Sequence, residues 1–228
     1  IKAVLMRRNP DLVLVDTNII ANAPKRLFAA GLGDALSTWF EARACHKSGA
    51  RTMARGNVSN TGLMMARLCY DLLMEKGRAA LSAVERHEVT PGLEDVVEAT
   101  IYLSGLGFEN GGLAAAHAIN DGFAQEPQAH GMYHGEKVAF GTLTQLVLEK
   151  APQEELEQVL SFLKDTGLPM TLAQLGVAEV VPETLHKVAE AACVPTQSTK
   201  NLRADITAQE VYDAILEADR LGREWLAR

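Results

Sequence analysis

The sequence has no concentrated run of basic side chains. Its 22 lysine and arginine residues are outnumbered by 29 aspartate and glutamate residues, and the formal net charge is −7. Binding to nucleic-acid phosphates requires a concentrated basic face. The nearest approach to one, HKSGARTMARG at 46–56, is too sparse. The composition therefore excludes a nucleic-acid partner of the usual kind.

Cysteines and long apolar runs are also scarce. Cys45, Cys69 and Cys193 are widely separated and odd in number, so they form neither a disulfide framework nor a CxxC metal site. No apolar run approaches the roughly 20 residues that a membrane-spanning helix requires, and no signal peptide is recognisable. We therefore expect a protein of the reducing cytoplasm without a membrane partner.

The chain opens with two short β-type runs. IKAVLM at 1–6 and DLVLVDT at 11–17 flank the turn-like RRNP and predict two strands. A two-stranded hairpin is only marginally stable alone, and its open edges invite pairing. We therefore expect residues 1–17 to pair with another chain or to dock on the helical part. Because Ile1 rather than a start methionine opens the sequence in the middle of a fold, we also expect further residues upstream.

Helical spacing dominates the rest of the chain. The last two predicted helices begin with clear signals, Pro182 in a first turn and the Thr207–Glu210 spacing of a capping box. We therefore predict a mainly α protein, a helical bundle preceded by a small β remnant. The predicted helices span 33–46, 58–89, 92–106, 111–124, 136–150, 153–166, 182–193 and 207–225.

Four of the six histidines have ordinary explanations. His46, His87 and His186 lie among polar neighbours on predicted helices, and His130 lies in a polar loop. We expect all four at or near the surface.

His117 and His134 have more unusual settings. His117 lies in ENGGLAAAHAINDGF, where small residues allow another backbone to approach closely, and His134 follows a loop and begins the next predicted helix. Asp34, after the Gly-Leu-Gly of AAGLGDALSTWFEA, is a third candidate at a predicted helix start, where aspartate is also a favoured N-cap. Two histidines and one carboxylate suit a divalent metal with an open coordination position. No local signature such as HExxH links them, so spacing alone leaves the question open.

Three separated segments carry a resemblance to a known family. AAGLGDALSTWFEA, SGLGFENGGLAAAHAINDGF and HGMYHGEKVAFGTLTQLVLE follow one another in order and together resemble the glycerol dehydrogenases of the iron-containing, or group III, alcohol dehydrogenase superfamily. The resemblance implies the helical metal-binding domain of the dehydroquinate synthase-like fold over 21–228, preceded by remnant strands of a nucleotide-binding domain over 1–20. It further implies a homo-oligomer that oxidises glycerol, or another small vicinal diol, with NAD⁺ to dihydroxyacetone and NADH.

The resemblance also assigns site residues. It implies that Asp34, His117 and His134 bind one Zn²⁺, that the two histidines contact the substrate, and that Phe108 lines the glycerol pocket. The metal would act as a Lewis acid that lowers the pKa of the alcohol oxygen and stabilises the developing alkoxide. No protein general base is evident in the sequence.

The neighbouring residues receive more ordinary predictions. Gly135 is expected to leave room beside the metal, and Glu136 and Lys137 to form a solvated pair in the first turn of their helix. Trp39 is expected to anchor the core, and Trp225 is expected to pack the C-terminal helix.

The sequence also departs from the family pattern. GLGD at 31–34 lacks the upstream strand and the GxGxxG spacing of a dinucleotide fingerprint, and GFENGG at 107–112 falls between predicted helices. The resemblance therefore implies a truncated member that lacks most of the NAD-binding domain. We expect no cofactor-binding residue in this chain and predict that it does not oxidise glycerol by itself.

Three alternatives stay open. The chain could be a free-standing helical module for metal binding or oligomerisation, which a measurement of NAD binding would distinguish from a dehydrogenase. The metal could be Fe²⁺ and the substrate another alcohol, which elemental analysis and substrate tests address. The chain could also be a helical domain with buried histidines, in which case replacing His134 by alanine leaves the metal content unchanged.

Overall fold

The computed structural model describes residues 8–228. The first predicted strand, at 1–6, lies outside these residues. The described part of the chain is predominantly helical, which confirms the predicted mainly α class.

Most of the helices follow one another with short connections, and the longest connection spans 167–181. A π-helical turn, Ala99–Leu103, joins the helices Pro91–Glu98 and Ser104–Gly111. Two 3₁₀ segments, Phe123–Gln125 and Pro127–Gly131, lie between the helices Ala115–Gly122 and His134–Glu149. The α-helices are α1 (Thr17–Ala21), α2 (Lys25–Ser48), α3 (Asn60–Glu85), α4 (Pro91–Glu98), α5 (Ser104–Gly111), α6 (Ala115–Gly122), α7 (His134–Glu149), α8 (Gln153–Thr166), α9 (Pro182–Ala192), α10 (Thr199–Leu202) and α11 (Ala208–Leu226).

The ends of the helices follow local signals where such signals exist. Thr207 and Glu210 form the predicted capping box, in which each side chain accepts the other residue's amide, at 3.2 and 2.9 Å. Helix α8 has the predicted bounds, and it is followed by the C-cap Gly167, whose left-handed φ of 72° suits glycine. Helix α2 begins at Lys25 rather than at 33, because no local signal marks its start: Pro24 precedes it without a side-chain cap.

The predicted strand at 11–17 is wrong. Residues 11–16 form neither strand nor helix, and α1 begins at Thr17 with the Asp16 side chain accepting the amide of Asn18 at 2.9 Å. A strand exists only where another strand satisfies its backbone hydrogen bonds. Among residues 8–228 the only β pairing is an isolated bridge between Arg51 and Asn57. The β-type pattern therefore finds no partner in the described part of the chain.

Helix α2 lies at the centre of the bundle. It packs against α3, α5 and α7, and α7 in turn packs against α6 and α11. Leu32, Leu36 and Phe40 of α2 are fully buried. Trp39 and Trp225 are partly buried and pack against the main core, in agreement with the sequence prediction.

None of the helices in residues 8–228 combines the length and the apolar character needed to cross a bilayer.

Candidate metal centre

Three helices bring the three candidate ligands together. Asp34 lies on α2, His117 on α6, and His134 is the first residue of α7. One ligand atom from each residue lies within 4.8 Å of the others. The Nε2 atoms of both histidines are 3.4 Å from Asp34 Oδ1, and the two imidazole centroids are 5.3 Å apart. Residues separated by up to 100 positions in the sequence thus form one compact cluster with two nitrogen donors and one oxygen donor.

Asp34 is not a helix cap. The prediction placed it at a helix start after a flexible Gly-Leu-Gly, but α2 begins at Lys25, so Asp34 and the preceding glycines lie within the helix. Its Oδ1 atom is buried and has no hydrogen-bond partner among the described residues. A buried, unpaired carboxylate oxygen is costly, and a cation bound between the three side chains would satisfy it.

The electrostatics of the cluster also favour positive charge. Burial opposes ionisation of Asp34, but the imidazoles of His117 and His134 outweigh it and hold the Asp34 pKa well below its ordinary value. Burial likewise opposes protonation of His117, but the attraction of Glu41 and the contacts with Asp34 and Glu41 raise the His117 pKa to about 10. Without a metal, the protonated His117 therefore supplies the positive charge that the ionised Asp34 requires.

A close contact between helix backbones brings Asp34 and His134 together. A Cβ atom on Gly135 would lie 1.8 Å from the Ala30 carbonyl oxygen, and one on Gly33 would lie 2.6 Å from the Gly135 carbonyl oxygen. Only glycine permits α2 and α7 to approach this closely. Gly135 therefore has a role besides the one expected beside a metal: its bare side faces the backbone of α2, and a Cβ atom there would also lie 3.2 Å from Asp34 Cβ.

A second close contact holds α6 against α7. A Cβ atom on Gly141 would lie 2.4 Å from the carbonyl oxygen of Ala116, the residue before His117. Within the segment around His117, a Cβ atom on Gly122 would lie 2.4 Å from the Val188 carbonyl oxygen, which confirms the prediction that small residues there allow another backbone to approach. Helix α7 is held between α2 and α6, and this arrangement sets the distances among the three ligands.

Two buried side chains cap the first turn of α6. The amides of Ala114 and His117 donate to Glu41 Oε1, at 2.8 and 3.1 Å. The two amides between them both donate to Gln145 Oε1, at 3.0 Å. These amides have no partner within the helix itself. Glu41 from α2 and Gln145 from α7 therefore fix the helical turn that carries His117.

Glu41 also contacts the His117 side chain directly. Its Oε2 atom lies 2.6 Å from His117 Nδ1, and its side chain has no exposed surface. Glu41 is not among the site residues predicted from the sequence. One signal could have found it, because Glu41 follows Asp34 by seven residues and so lies two turns along on the same helix face.

Other predicted site residues have different surroundings. Phe108 lies on α5, is half-buried and lies outside the hydrophobic clusters of the core. The prediction of a solvated Glu136–Lys137 pair is wrong for Glu136. That side chain is buried, accepts the amide of Tyr133 at 2.7 Å and forms an ion pair with Arg26 at 2.6 Å. Its role is to cap α7 and tie it to α2.

The remaining histidines lie outside the cluster. His46 and His130 are exposed, as expected. His87 is exposed but follows α3 rather than lying within a helix. His186 is partly buried and stacks on Tyr212 with a centroid separation of 3.8 Å.

The fold belongs to a recognised structural class. No protein-family model matches the chain. The crystal structure of an iron-containing alcohol dehydrogenase from Thermococcus thioreducens superimposes with a TM-score of 0.66 at 18% sequence identity, over 90% of this chain and 53% of that one. The chain therefore shares the helical fold of the iron-containing alcohol dehydrogenases.

Proteins with higher sequence identity to this chain include glycerol dehydrogenases. A glycerol dehydrogenase of Escherichia coli O6:H1 is 56% identical over 223 residues, which are 98% of this chain and 61% of the relative. The crystal structure of glycerol dehydrogenase from Schizosaccharomyces pombe superimposes with a TM-score of 0.95 at 40% identity, over 98% of this chain and 58% of that one. The chain is a homologue of the glycerol dehydrogenases and spans about three fifths of their length.

Proposed function

We propose that Asp34, His117 and His134 bind one divalent metal ion, with Zn²⁺ as the first candidate. The observation that carries the proposal is the cluster of three donor atoms within 4.8 Å, one of them the buried and unpaired Asp34 Oδ1. Two imidazoles and one carboxylate match a catalytic zinc site with an open fourth position. The same donor set also accepts Fe²⁺, so the donors alone leave both metals as candidates.

We further propose that the protein takes part in NAD-dependent oxidation of glycerol or another vicinal diol. The proposal rests on the names of the similar proteins and on the chemistry of the cluster. A bound metal would supply Lewis acidity, which lowers the pKa of an alcohol oxygen. His134 leaves 52% of its side chain exposed, so the cluster is open to a ligand on that side. Adjacent hydroxyls of a diol suit such an open site, and Phe108 would line the pocket.

NAD⁺ binding is expected to depend on residues outside this chain. The Gly31–Leu32–Gly33 segment lies inside α2, and GFENGG lies in α5 and at its end. Neither follows a strand among the described residues, as a dinucleotide fingerprint does. We therefore propose that this chain contributes the metal and substrate half of the reaction, within an oligomer.

A free-standing metal-binding module is the second candidate. It is favoured by the fact that all three donors lie within this chain. Because this chain is expected to bind no NAD⁺ by itself, glycerol binding to the metal-loaded chain discriminates between the two functions. A chain that contributes the metal and substrate half of the reaction must bind glycerol at the cluster, whereas a module need not.

The metal site is tested by elemental analysis of the purified chain after loading with Zn²⁺ and desalting. One metal ion per chain is expected for the wild type and for His46→Ala, a control on an exposed histidine of α2. Asp34→Asn and His134→Ala are expected to lose the ion. Unchanged metal content in both site variants would overturn the assignment. Measuring iron in the same samples tests the choice between the two metals.

A further inference from the structure

Glu41 holds its carboxylate in one orientation. The side chain is fully buried in α2, and its two oxygens have different partners. Oε1 accepts the amides of Ala114 and His117, while Oε2 lies 2.6 Å from His117 Nδ1. Rotation of the carboxylate would leave buried backbone amides without an acceptor, and this is costly. The contact with the imidazole is thereby fixed.

We propose that Glu41 is a positioning residue that keeps a proton on His117 Nδ1 and so directs the His117 Nε2 lone pair into the metal site. The inference rests on the proposed metal-binding function. A neutral imidazole offers a lone pair from only one ring nitrogen, and a carboxylate can only accept. The nitrogen facing Glu41 must therefore carry the proton. Nε2, which lies 3.4 Å from Asp34 Oδ1, is then free to bind a metal.

The two histidines are supported differently. Helix α2 supplies Asp34 as a ligand and, two turns further on, Glu41 as the partner that orients a second ligand. Within the described part of the chain, the hydrogen bonds give His134 no comparable carboxylate partner. Its ring is half exposed and is placed by the first turn of α7. Although Glu41 is not itself a ligand, we therefore expect its replacement to weaken metal binding.

The variant Glu41→Gln distinguishes the effect of Glu41 on the His117 tautomer from its contribution to core packing. It preserves the size of the side chain but replaces one oxygen with an amide that can only donate. If that amide faces His117 Nδ1, the imidazole proton must move to Nε2, where it blocks metal binding. If the amide faces the opposite way, it meets the donating backbone amides of α6. The first arrangement opposes the metal-binding tautomer, and the second keeps that tautomer only by placing buried donors against one another.

The test compares Glu41→Gln with Gln145→Met. The second variant removes the other cap of the same helical turn, and the Gln145 side chain makes no hydrogen bond to the His117 ring. Zn²⁺ affinity is measured by competition with a chelator, and melting temperature by calorimetry. Both variants are expected to melt at lower temperature than the wild type. Glu41→Gln is expected to lose about 10–100-fold in affinity, the usual effect of removing an outer partner of a metal-bound histidine. Gln145→Met should stay within about threefold of the wild type, well below that range.

The outcomes separate this inference from the proposed function. A wild type that binds no metal at the cluster would overturn the function and the inference together. A wild type and a Glu41→Gln variant that bind Zn²⁺ equally well would overturn only the inference. Equal affinity losses in the two variants would also overturn it, because they would mean that Glu41 acts only by capping α6. In ¹⁵N-labelled, Zn²⁺-loaded protein, an exchange-protected His117 Nδ1 proton is expected for the wild type and not for Glu41→Gln.

Discussion

At the scale of single residues, the two acidic side chains of α2 explain why the cluster favours a cation. Asp34 places a buried, unpaired oxygen between two imidazoles, and Glu41 lies nearby with no exposed surface. Buried carboxylates need positive charge close to them. In the metal-free protein His117 provides it, because the neighbouring carboxylates raise its pKa. A divalent ion would provide twice the positive charge of a protonated imidazole.

Phe108 gives a prediction about substrate binding. In the Co²⁺-loaded protein, glycerol is expected to perturb the visible absorption of the metal. Phe108→Ala should weaken glycerol binding about tenfold, which corresponds to roughly 1.4 kcal/mol of lost apolar contact. Phe108→Leu, which keeps an apolar side chain, serves as the control. Wild-type affinity in the alanine variant would remove Phe108 from the pocket.

The cysteines give a prediction about chemical reactivity. Burial raises the pKa of Cys69 to about 12, and burial together with the charge of Glu41 raises the pKa of Cys45 to about 12. The thiolate is the reactive form, so both should be inert in the folded protein at about pH 8. A thiol reagent should modify one residue per native chain, the partly exposed Cys193, and all three cysteines after unfolding. Rapid modification of Cys45 in the native protein would contradict this.

At the scale of helices, the contact between α2 and α7 sets the geometry of the site. Gly135→Ala places a methyl carbon 1.8 Å from the Ala30 carbonyl oxygen, too close for the two atoms to coexist without a shift of the helices. We expect it to lower the free energy of unfolding by about 1–3 kcal/mol, because the helices must separate. The separation should also weaken Zn²⁺ binding, since Asp34 and His134 lie on opposite sides of the contact. Denaturant titration and chelator competition measure the two effects.

Gly31→Ala is the matched control on α2. A Cβ atom at Gly31 meets no other atom within 4 Å, and the residue is exposed. Alanine there should stabilise the helix by roughly 0.5–1 kcal/mol and leave metal binding unchanged. If Gly135→Ala, like Gly31→Ala, left the stability and the Zn²⁺ affinity undiminished, then the close approach of α2 and α7 would not determine the geometry of the metal site.

Much of the helical structure, but less of the site, follows from local sequence. The bounds of α8 and the capping box of α11 are predictable because their signals lie within a few residues of the helix ends. The role of Gly135 is not predictable, because it depends on the Ala30 backbone in a distant helix. Glu41 was missed for the same reason: it acts on a residue 76 positions away.

At the scale of the whole molecule, the candidate ligands were found through resemblance rather than through spacing. Asp34, His117 and His134 lie on three helices, and no local pattern joins them. The error at 11–17 has a related cause. Alternating β-type residues predict a strand only if another strand lies beside them, and the sequence carries no information about that partner.

The whole chain also gives a prediction about catalysis. Because it spans about three fifths of the length of its glycerol dehydrogenase relatives and is expected to hold no NAD-binding residues, the isolated, Zn²⁺-loaded chain should not reduce NAD⁺ in the presence of glycerol. Absorbance of NADH and calorimetric titration with NAD⁺ measure this. Turnover at ordinary rates would show that the chain itself binds the cofactor.

Anomalous diffraction from crystals of the Zn²⁺-loaded chain, recorded on both sides of the zinc absorption edge, tests the central claim most directly. The account predicts one strong zinc peak per chain, bonded at about 2.0–2.2 Å to Asp34 Oδ1 and to Nε2 of His117 and His134. A peak elsewhere, or no peak between these three side chains, would contradict it.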